Sequence, residues 1–329
     1  MSMLRYLQAG SFGSATEALE GHGSAEVVAG GTDLLPRLEE NILPPELIVD
    51  ITAIEELRGI AVDGDTVRLG ALARLSEVID HPVMQTDFPV IVEALSATAS
   101  PQVRNLATVG GNPLQKTRCL YFRDRTTPCN KRAPGTGCSA LGGRNRINAV
   151  LGGSEHCIAT HASDFAVAMA ALDATVVVGS PNGERTLPFT ELHRLPADTP
   201  EKETNLEPGE IIKGYTLQRS ALARRSHYLK VRDRAEFEWA IASAAVALEI
   251  DAEERITTAR VAVGGVATKP WRLAQVEAAL EGKKAEAGVF ATAAALSAEG
   301  AVPRGDNAFK LELLPRTVGR ALRELEEQI

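Results

Sequence analysis

Two periods of apolar spacing alternate along this chain, and each change of period marks a boundary between a helix and a strand. Residues 14–19 have helical spacing, and residues 25–29 form a short β-prone run that ends in Gly30-Gly31. A second apolar strand at 47–51 follows a pair of prolines. The pattern therefore predicts a small α/β unit at the beginning of the chain.

A β-hairpin is predicted next, because residues 59–62 and 66–70 are joined by an Asp-Gly turn. Helical spacing then continues through residues 76–95 and leads to a second glycine pair, Gly110-Gly111. Each glycine pair therefore comes directly after an ordered segment.

Residues 113–160 lack both periods and are rich in Gly, Pro, Arg and Cys. A loop of this length without regular structure is uncommon in a compact domain and usually has a function of its own. The pattern predicts a long loop whose order comes from a bound metal centre rather than from a hydrophobic core.

Regular structure resumes with an Ala-rich helix at about 164–172 and a strand at 175–178. The polar, proline-bearing segment 196–208 is predicted to be a surface excursion. Strands and helices then alternate to the end of the chain. The predicted strands are 210–212, 243–250 and 258–263, and the predicted helices are 274–280 and 316–325.

A domain boundary is predicted near Ser220 to Arg225. It divides the chain into a first domain of residues 1–222 and a C-terminal domain of residues 223–329. The first domain is expected to have two parts, of about 1–57 and 58–222, with the loop 113–160 in the second part.

Composition and charge limit the classes of function. The 329 residues are 44% hydrophobic and 24% charged, which is ordinary for a globular protein. The 35 basic and 43 acidic residues give a formal charge of -8, which repels nucleic-acid phosphates and anionic lipid. Small molecules or other proteins, and not nucleic acid, are therefore the expected partners.

The chain shows no membrane span, because its most apolar stretch, residues 165–178, is interrupted by Asp173. The N-terminus has no basic region followed by an apolar core, so no secretory signal is predicted. The expected location is the cytoplasm, or the periplasm if a signal-bearing partner exports the folded complex.

Each glycine pair is suited to bind an anion, because residues without side chains let consecutive backbone N–H groups face a phosphate. Thr32 adds a hydroxyl, whereas Asp33 is expected to cap neighbouring N–H groups, since its charge would repel phosphate. A tight turn is the simpler explanation of either pair alone. Neither pair fits the GxGxxG or the GK(S/T) pattern, which disfavours nicotinamide-type and ATP-type folds.

Four cysteines, Cys119, Cys129, Cys138 and Cys157, are separated by nine, eight and eighteen residues in a loop rich in Arg and Lys. The positive neighbours are expected to lower the pKa of the thiols and to offset the charge of a metal centre. Structural zinc sites usually have cysteine pairs about two to four residues apart, and disulfides suit small secreted domains. The spacing favours a 4Fe-4S cluster and leaves zinc, disulfides and unligated cysteines open.

Several segments together resemble one protein family. Residues 29–34 (AGGTDL), 104–112 (RNLATVGGN) and 162–164 (ASD) closely resemble the FAD subunits of the xanthine dehydrogenase family, and the match extends over essentially the whole chain. Residues 112–122, with the three later cysteines, resemble the branch that carries an additional 4Fe-4S cluster. That branch includes periplasmic-type aldehyde oxidoreductases and 4-hydroxybenzoyl-CoA reductases, and residues 129–138 favour the aldehyde-oxidoreductase side.

The resemblance implies an α+β fold. A two-part FAD-binding domain of the vanillyl-alcohol-oxidase-like type would be followed by a C-terminal domain of antiparallel sheet and helices, with FAD extended between them. The first glycine turn would wrap the pyrophosphate, the second would supply further donors, Asp164 would bond ribityl or ribose hydroxyls, and Ile212 and Lys230 would approach the flavin ring or the adenine. The implied FAD-contacting residues are Val28, Ala29, Gly30, Gly31, Thr32, Asp33, Leu34, Leu35, Thr108, Gly110, Gly111, Asn112, Asp164, Ile212 and Lys230.

The same resemblance implies that the four cysteines hold the 4Fe-4S cluster. Because four cysteines complete such a cluster, His156 and His161 are expected to lie behind the ligands or to face solvent.

The implied function is electron transfer within a heterotrimeric molybdenum-containing hydroxylase. A large subunit with a molybdenum cofactor would oxidise an aldehyde, and a small subunit with 2Fe-2S clusters would pass the electrons to this FAD and on to an external acceptor. No nucleophile–base pair is readable, in keeping with a carrier role. The alternatives are a stand-alone flavoenzyme of the berberine-bridge or UDP-sugar reductase kind and a zinc-stabilised assembly protein.

Overall fold

The computed structural model describes residues 4–327, in which three β-sheets carry the helices. The predicted domain ends at 1–3 and 328–329 lie outside the described residues. The strands are β1 (Arg5–Gln8), β2 (Ala25–Val28), β3 (Leu47–Asp50), β4 (Ile60–Asp63), β5 (Thr66–Gly70), β6 (Thr175–Ser180), β7 (Gly183–Pro188), β8 (Ile211–Gln218), β9 (Ser226–Val231), β10 (Ala242–Ile250), β11 (Ile256–Gly264) and β12 (Trp271–Arg272).

The helices are α1 (Phe12–Glu20), α2 (Leu34–Glu39), α3 (Leu75–Asp80), α4 (Pro82–Asp87), α5 (Pro89–Ser96), α6 (Pro101–Arg104), α7 (Leu120–Arg123), α8 (Asp164–Ala171), α9 (Phe189–Leu192), α10 (Ala221–Arg224), α11 (Ala274–Leu280), α12 (Ala287–Ala295) and α13 (Lys310–Glu327). Short 3-10 turns span Glu55–Leu57, Asn112–Leu114 and Leu296–Ala298.

The first sheet is parallel, with the order β1-β3-β2. Helix α1 begins after Ser11, whose hydroxyl accepts from the backbone N–H of Ser14 at 3.2 Å. Its buried Ala15 packs with Leu47, Val49 and Ile51 in a small apolar cluster beneath this sheet. Because β2 ends at Val28, the first glycine pair emerges at the carboxyl edge of the sheet.

The second sheet is antiparallel, with the order β4-β5-β8-β6-β7. The predicted hairpin is present, and Gly64 at its tip has a positive φ of 57°. Helix α8 is buried along its whole length, which its Ala-rich sequence permits because small side chains allow close packing on every face. The side chain of Ser163 caps α8 by accepting from the N–H of Ala166.

The third sheet is antiparallel, with the order β12-β11-β10-β9. Helices α11 and α13 pack on it, and α12 packs against both of these helices. Their apolar faces join the strands in a second large core that includes Val246, Val261 and Leu322. The α+β fold, with a sheet-and-helix region at the C-terminus, is confirmed. The domain boundary near 220–225 stays a prediction.

The segment 113–160 contains one short helix, α7, and is otherwise irregular, as the sequence predicts. Within residues 4–327, no helix is long and apolar enough to cross a membrane.

Candidate cofactor site

A cleft of about 1430 Å³ has both glycine turns in its wall. All the residues that the sequence predicts to contact FAD line this cleft except Leu35. Leu35 lies in the first turn of α2, and its side chain is 51% exposed. The structure therefore brings together five segments that are distant in the sequence, around positions 30, 110, 164, 212 and 230.

The two glycine turns pack against each other, backbone to backbone. A Cβ on Gly30 would lie 1.9 Å from the carbonyl oxygen of Leu106. A Cβ on Gly110 would lie 2.7 Å from Cβ of Ala71, whose carbonyl accepts from the Gly110 N–H at 2.9 Å. Glycine is therefore required at Gly30 for the two turns to approach so closely, and at Gly110 for the second turn to pack on Ala71.

Asp33 does not cap its own helix, because its side chain makes no hydrogen bond with the first turn of α2. The carboxylate instead accepts from the backbone N–H of Lys116 at 3.1 Å and lies 2.8 Å from the guanidinium of Arg118. Arg118 also stacks over the Trp239 ring, with 4.9 Å to its centroid. The expected local cap is thus wrong, and Asp33 ties the first glycine turn to the cysteine-bearing loop.

Asp164 and Lys230 form a buried ion pair in the wall of the cleft, at 2.7 Å. The other carboxylate oxygen accepts from the Tyr228 hydroxyl at 2.6 Å, and Thr98 donates to the first at 3.2 Å. Asp164 is also the first residue of α8, where the helix dipole favours a negative charge. Both residues predicted to face the cofactor are therefore held in fixed positions.

The segment 196–208, predicted to be a surface excursion, forms part of the cleft wall. Its Glu203 accepts from both Lys116 and Lys131 of the cysteine-bearing loop, with 2.9 Å between Lys131 Nζ and Oε1. Burial raises the pKa of the Glu203 carboxyl, but the two lysines outweigh it and hold the pKa at about 2. The polar composition of this segment wrongly suggested an exposed loop, because the charges of Glu203, Lys116 and Lys131 neutralise one another inside the protein.

His161 and His193 lie edge to face in the same wall, with 3.1 Å between their Nε2 atoms. Both Nε2 atoms are also within hydrogen-bond distance of the Pro113 carbonyl, at 3.0 and 2.9 Å. Burial lowers the pKa of His161 to about 4 and that of His193 to about 3, so both rings are neutral near pH 7. His161 therefore packs on a second histidine that the sequence did not single out, while His156 is exposed.

The four cysteines converge on one small cavity, although they span almost forty residues of sequence. Two of the sulfurs accept hydrogen bonds at 3.4 Å, Cys119 from the side-chain amide of Asn148 and Cys157 from the N–H of Ala159. Lys131, Cys157 and Ala159 line both this cavity and the large cleft. The cysteine cavity and the cleft thus share a wall.

The thiols of Cys129 and Cys157 do not have the lowered pKa that the basic neighbours suggested. Burial raises the pKa of the Cys157 thiol to about 12 and also raises the pKa of Cys129. The basic side chains are engaged elsewhere, Arg118 with Asp33 and Arg146 with Asp233 at 2.7 Å. Thiolates at this site would therefore need direct coordination to a metal for their stability.

Among residues 4–327, no three or more His, Cys, Asp and Glu side chains are close enough together to hold a single metal ion. A zinc ion bound by four thiolates requires all four sulfurs at bonding distance from one atom. The four cysteines surround a cavity without meeting that condition.

Comparison with known proteins identifies two matched regions. Residues 2–217 match the family described as FAD binding domain in molybdopterin dehydrogenase. Residues 227–325 match the CO dehydrogenase flavoprotein C-terminal domain.

Individual relatives extend over nearly the whole chain. The aldehyde oxidoreductase FAD-binding subunit PaoB of Escherichia coli (strain K12) is 42% identical over 92% of this chain and 92% of its own length. The glyceraldehyde dehydrogenase medium chain of Sulfolobus acidocaldarius is 28% identical over 85% of this chain and 81% of its own. A chain of carbon monoxide dehydrogenase from Hydrogenophaga pseudoflava superimposes with a TM-score of 0.76 at 28% identity, over 98% of this chain and 97% of that chain.

Proposed function

This chain belongs to the FAD-binding medium subunits of the molybdenum hydroxylase family, and we propose that it is the electron-transfer subunit of an aldehyde-oxidising complex that carries a 4Fe-4S cluster beside its FAD. The observation that carries the proposal is the shared wall between the FAD-sized cleft and the cysteine cavity. One chain thus holds two adjacent places for redox groups.

The cleft fits FAD by the chemistry of its lining. At the first glycine turn, Gly30 and Gly31 have no side chains to cover the backbone N–H groups, as pyrophosphate binding requires. Thr108 and Asn112 add polar side chains next to the second turn, and Asp164 with Lys230 provides a fixed acceptor and a fixed donor. When bound, FAD supplies the redox chemistry, while these residues bind and orient it.

The cysteine cavity fits an iron–sulfur cluster better than a single ion. In a cubane cluster each cysteine sulfur binds a different iron, so the four sulfurs need not meet at one point. Cys119, Cys129, Cys138 and Cys157 surround one cavity, and the N–H donors on Cys119 and Cys157 suit sulfurs that carry negative charge. We therefore propose these four cysteines as the cluster ligands.

The substrate class and the partners follow from the relatives. Two of them are named for aldehyde oxidation, one as a FAD-binding subunit and one as a medium chain. We propose that a large molybdenum-cofactor subunit oxidises the aldehyde and that a small 2Fe-2S subunit passes electrons to this subunit, which delivers them to an external acceptor. A stand-alone flavoenzyme is not favoured, because the full-length relatives are subunits of larger enzymes.

The test is a cofactor analysis of the chain purified anaerobically with its co-expressed partners. Flavin, iron, acid-labile sulfide and zinc would be measured per chain, together with the visible spectrum. The expected result is about one FAD and about four extra iron and four sulfide for this subunit.

Two variants assign that iron to the cavity. Cys129→Ser and Cys138→Ser should lose the extra iron while retaining FAD, and Arg125→Gln, an exposed change in the same loop, should retain both. FAD without the extra iron in the unaltered protein would contradict the cluster and leave the FAD-subunit assignment standing. Zinc in place of both groups would contradict the whole proposal.

A further inference from the structure

Lys310 is a fully buried lysine at the first position of α13, with 0% of its surface exposed. Its Nζ donates to the carbonyl of Asn148 at 2.9 Å and to the carbonyl of Gly265 at 2.7 Å. No carboxylate of the described residues lies within ion-pair distance of it, so neutral carbonyls alone receive its charge.

This position is unfavourable for an ammonium group. Burial of an ammonium group without a counter-charge is costly, and the helix dipole adds repulsion at an N-terminus. Burial lowers the pKa of Lys310 to about 7, with a further contribution from nearby Arg146. A buried cation of this kind calls for a negative partner close by.

One of the two contacts of Lys310 leads to the cysteine cavity. Asn148, whose carbonyl accepts from Lys310, is 1% exposed and donates its side-chain amide to Cys119 Sγ at 3.4 Å. The same amide donates to the Ile158 carbonyl at 3.3 Å, next to Cys157. Lys310 therefore contacts the residue whose side chain bonds to Cys119 and to the chain neighbour of Cys157.

We infer that Lys310 is a second buried counter-charge of the 4Fe-4S cluster, in addition to Lys131 in the cavity wall, and that it raises the reduction potential of the cluster from the C-terminal region. This inference rests on the proposed cluster. Four thiolates give such a cluster net negative charge, and an added electron makes it more negative. A fixed ammonium group behind Asn148 stabilises the reduced form more than the oxidised form, because attraction grows with the charge. Lys310 is thus a positioning and tuning residue that does not touch the cluster.

The test is a redox titration of the assembled complex, monitored by EPR, in which Lys310→Met is compared with the unaltered protein. The ratio of reduced to oxidised cluster at a fixed potential should fall about tenfold, which for one electron is a shift of about 59 mV to more negative potential. Lys284→Met is the matched control, because it removes the same charge from an exposed position in the C-terminal region. It should leave the potential unchanged.

Further variants keep the test decisive if Lys310→Met does not fold. Lys310→Gln retains donors for the two carbonyls but removes the charge, and it should give the same negative shift. Loss of iron from Lys310→Met and Lys310→Gln but not from Lys310→Arg would support the inference, because only the arginine variant retains the positive charge. Loss from all three would overturn it.

Different results would contradict the proposed cluster and the proposed role of Lys310. An unaltered protein without the extra iron and sulfide would contradict the cluster itself. Full iron and sulfide with an unchanged potential in Lys310→Met or Lys310→Gln would overturn only the role of Lys310 and leave the proposed function in place.

Discussion

Lys230 on β9 donates to the carboxylate of Asp164 on α8 across 2.7 Å, although 66 residues separate them in the sequence. Both side chains are about 95% buried, so each is the principal counter-charge of the other. The pair fixes one wall of the cleft by joining α8 to β9, an edge strand of the third sheet.

Lys230→Met should therefore destabilise the protein by about 3–5 kcal/mol, because it leaves a buried carboxylate without its cation. The FAD content should fall as well. The double variant Lys230→Met/Asp164→Leu should recover part of the stability, since neither charge is then buried alone. Urea denaturation and flavin content per chain measure both effects. Arg316→Met, which removes a surface pair with Glu312, is the control and should change stability by about 0.5 kcal/mol or less.

Gly30→Ala should prevent the two glycine turns from packing, because the added Cβ would overlap the Leu106 carbonyl. The expected cost is at least about 1–3 kcal/mol, with loss of FAD. Gly13→Ala is the matched control: it lies in α1 with open space around it and should be neutral or stabilising by up to about 1 kcal/mol. Thermal unfolding of both variants with and without added FAD distinguishes loss of stability from loss of FAD binding. Equal behaviour of both variants would contradict the close approach.

Stability should also depend on pH through His227. This ring lies 2.8 Å from Glu93 on α5 and 3.1 Å from Glu324 on α13. Burial lowers the pKa of His227, but the two carboxylates outweigh burial and raise it above 6.5. A raised pKa means that the stabilisation is complete below pH 6.5 and is lost as pH rises through the folded-state pKa.

The measurement is the unfolding free energy of the unaltered protein and of His227→Gln from about pH 6 to pH 9. The difference between the two should shrink as pH rises. A constant difference across this range would show that the charge of His227 contributes nothing.

Glu203→Gln should loosen the cysteine-bearing loop, because Lys116 and Lys131 would lose their shared carboxylate. Hydrogen exchange of residues 113–160 should become faster in the variant. Asp198→Asn, an exposed change in the same segment, should have no effect. The lowered pKa of Glu203 implies stabilisation that is complete above about pH 4.5 and is lost as pH falls toward about 2. Acid titration of the same exchange rates should show that loss only in the unaltered protein.

Most helices and strands were predictable because the spacing of their apolar residues and their capping residues are local features of the sequence. The hairpin, α8 and the strands β10 and β11 lie within a few residues of their predicted positions. The sheet order was not readable, because β8 inserts between β5 and β6 and no local signal specifies that pairing. The spacing of apolar residues determines whether a segment is a helix or a strand, while long-range packing determines which elements lie next to it.

Some residues of the candidate site were likewise predictable from the sequence, and others were not. The glycine turns could be found because only glycine permits such backbone approach, and the cysteines because their clustering is conspicuous. Glu203 and His193 were missed, since an isolated acidic residue and an isolated histidine carry no sequence signal. Lys310 was missed for a stronger reason, because a lysine in an amphipathic helix is normally expected on its exposed face.

The central position of β8 also has a consequence for the order of assembly. All four cysteines and both glycine turns precede β8 in the chain, and the second sheet cannot be completed until that strand is available. Contacts between such distant segments form late, because closing a long loop costs more entropy than local pairing. The cysteine-bearing loop therefore emerges from synthesis before the second sheet is closed.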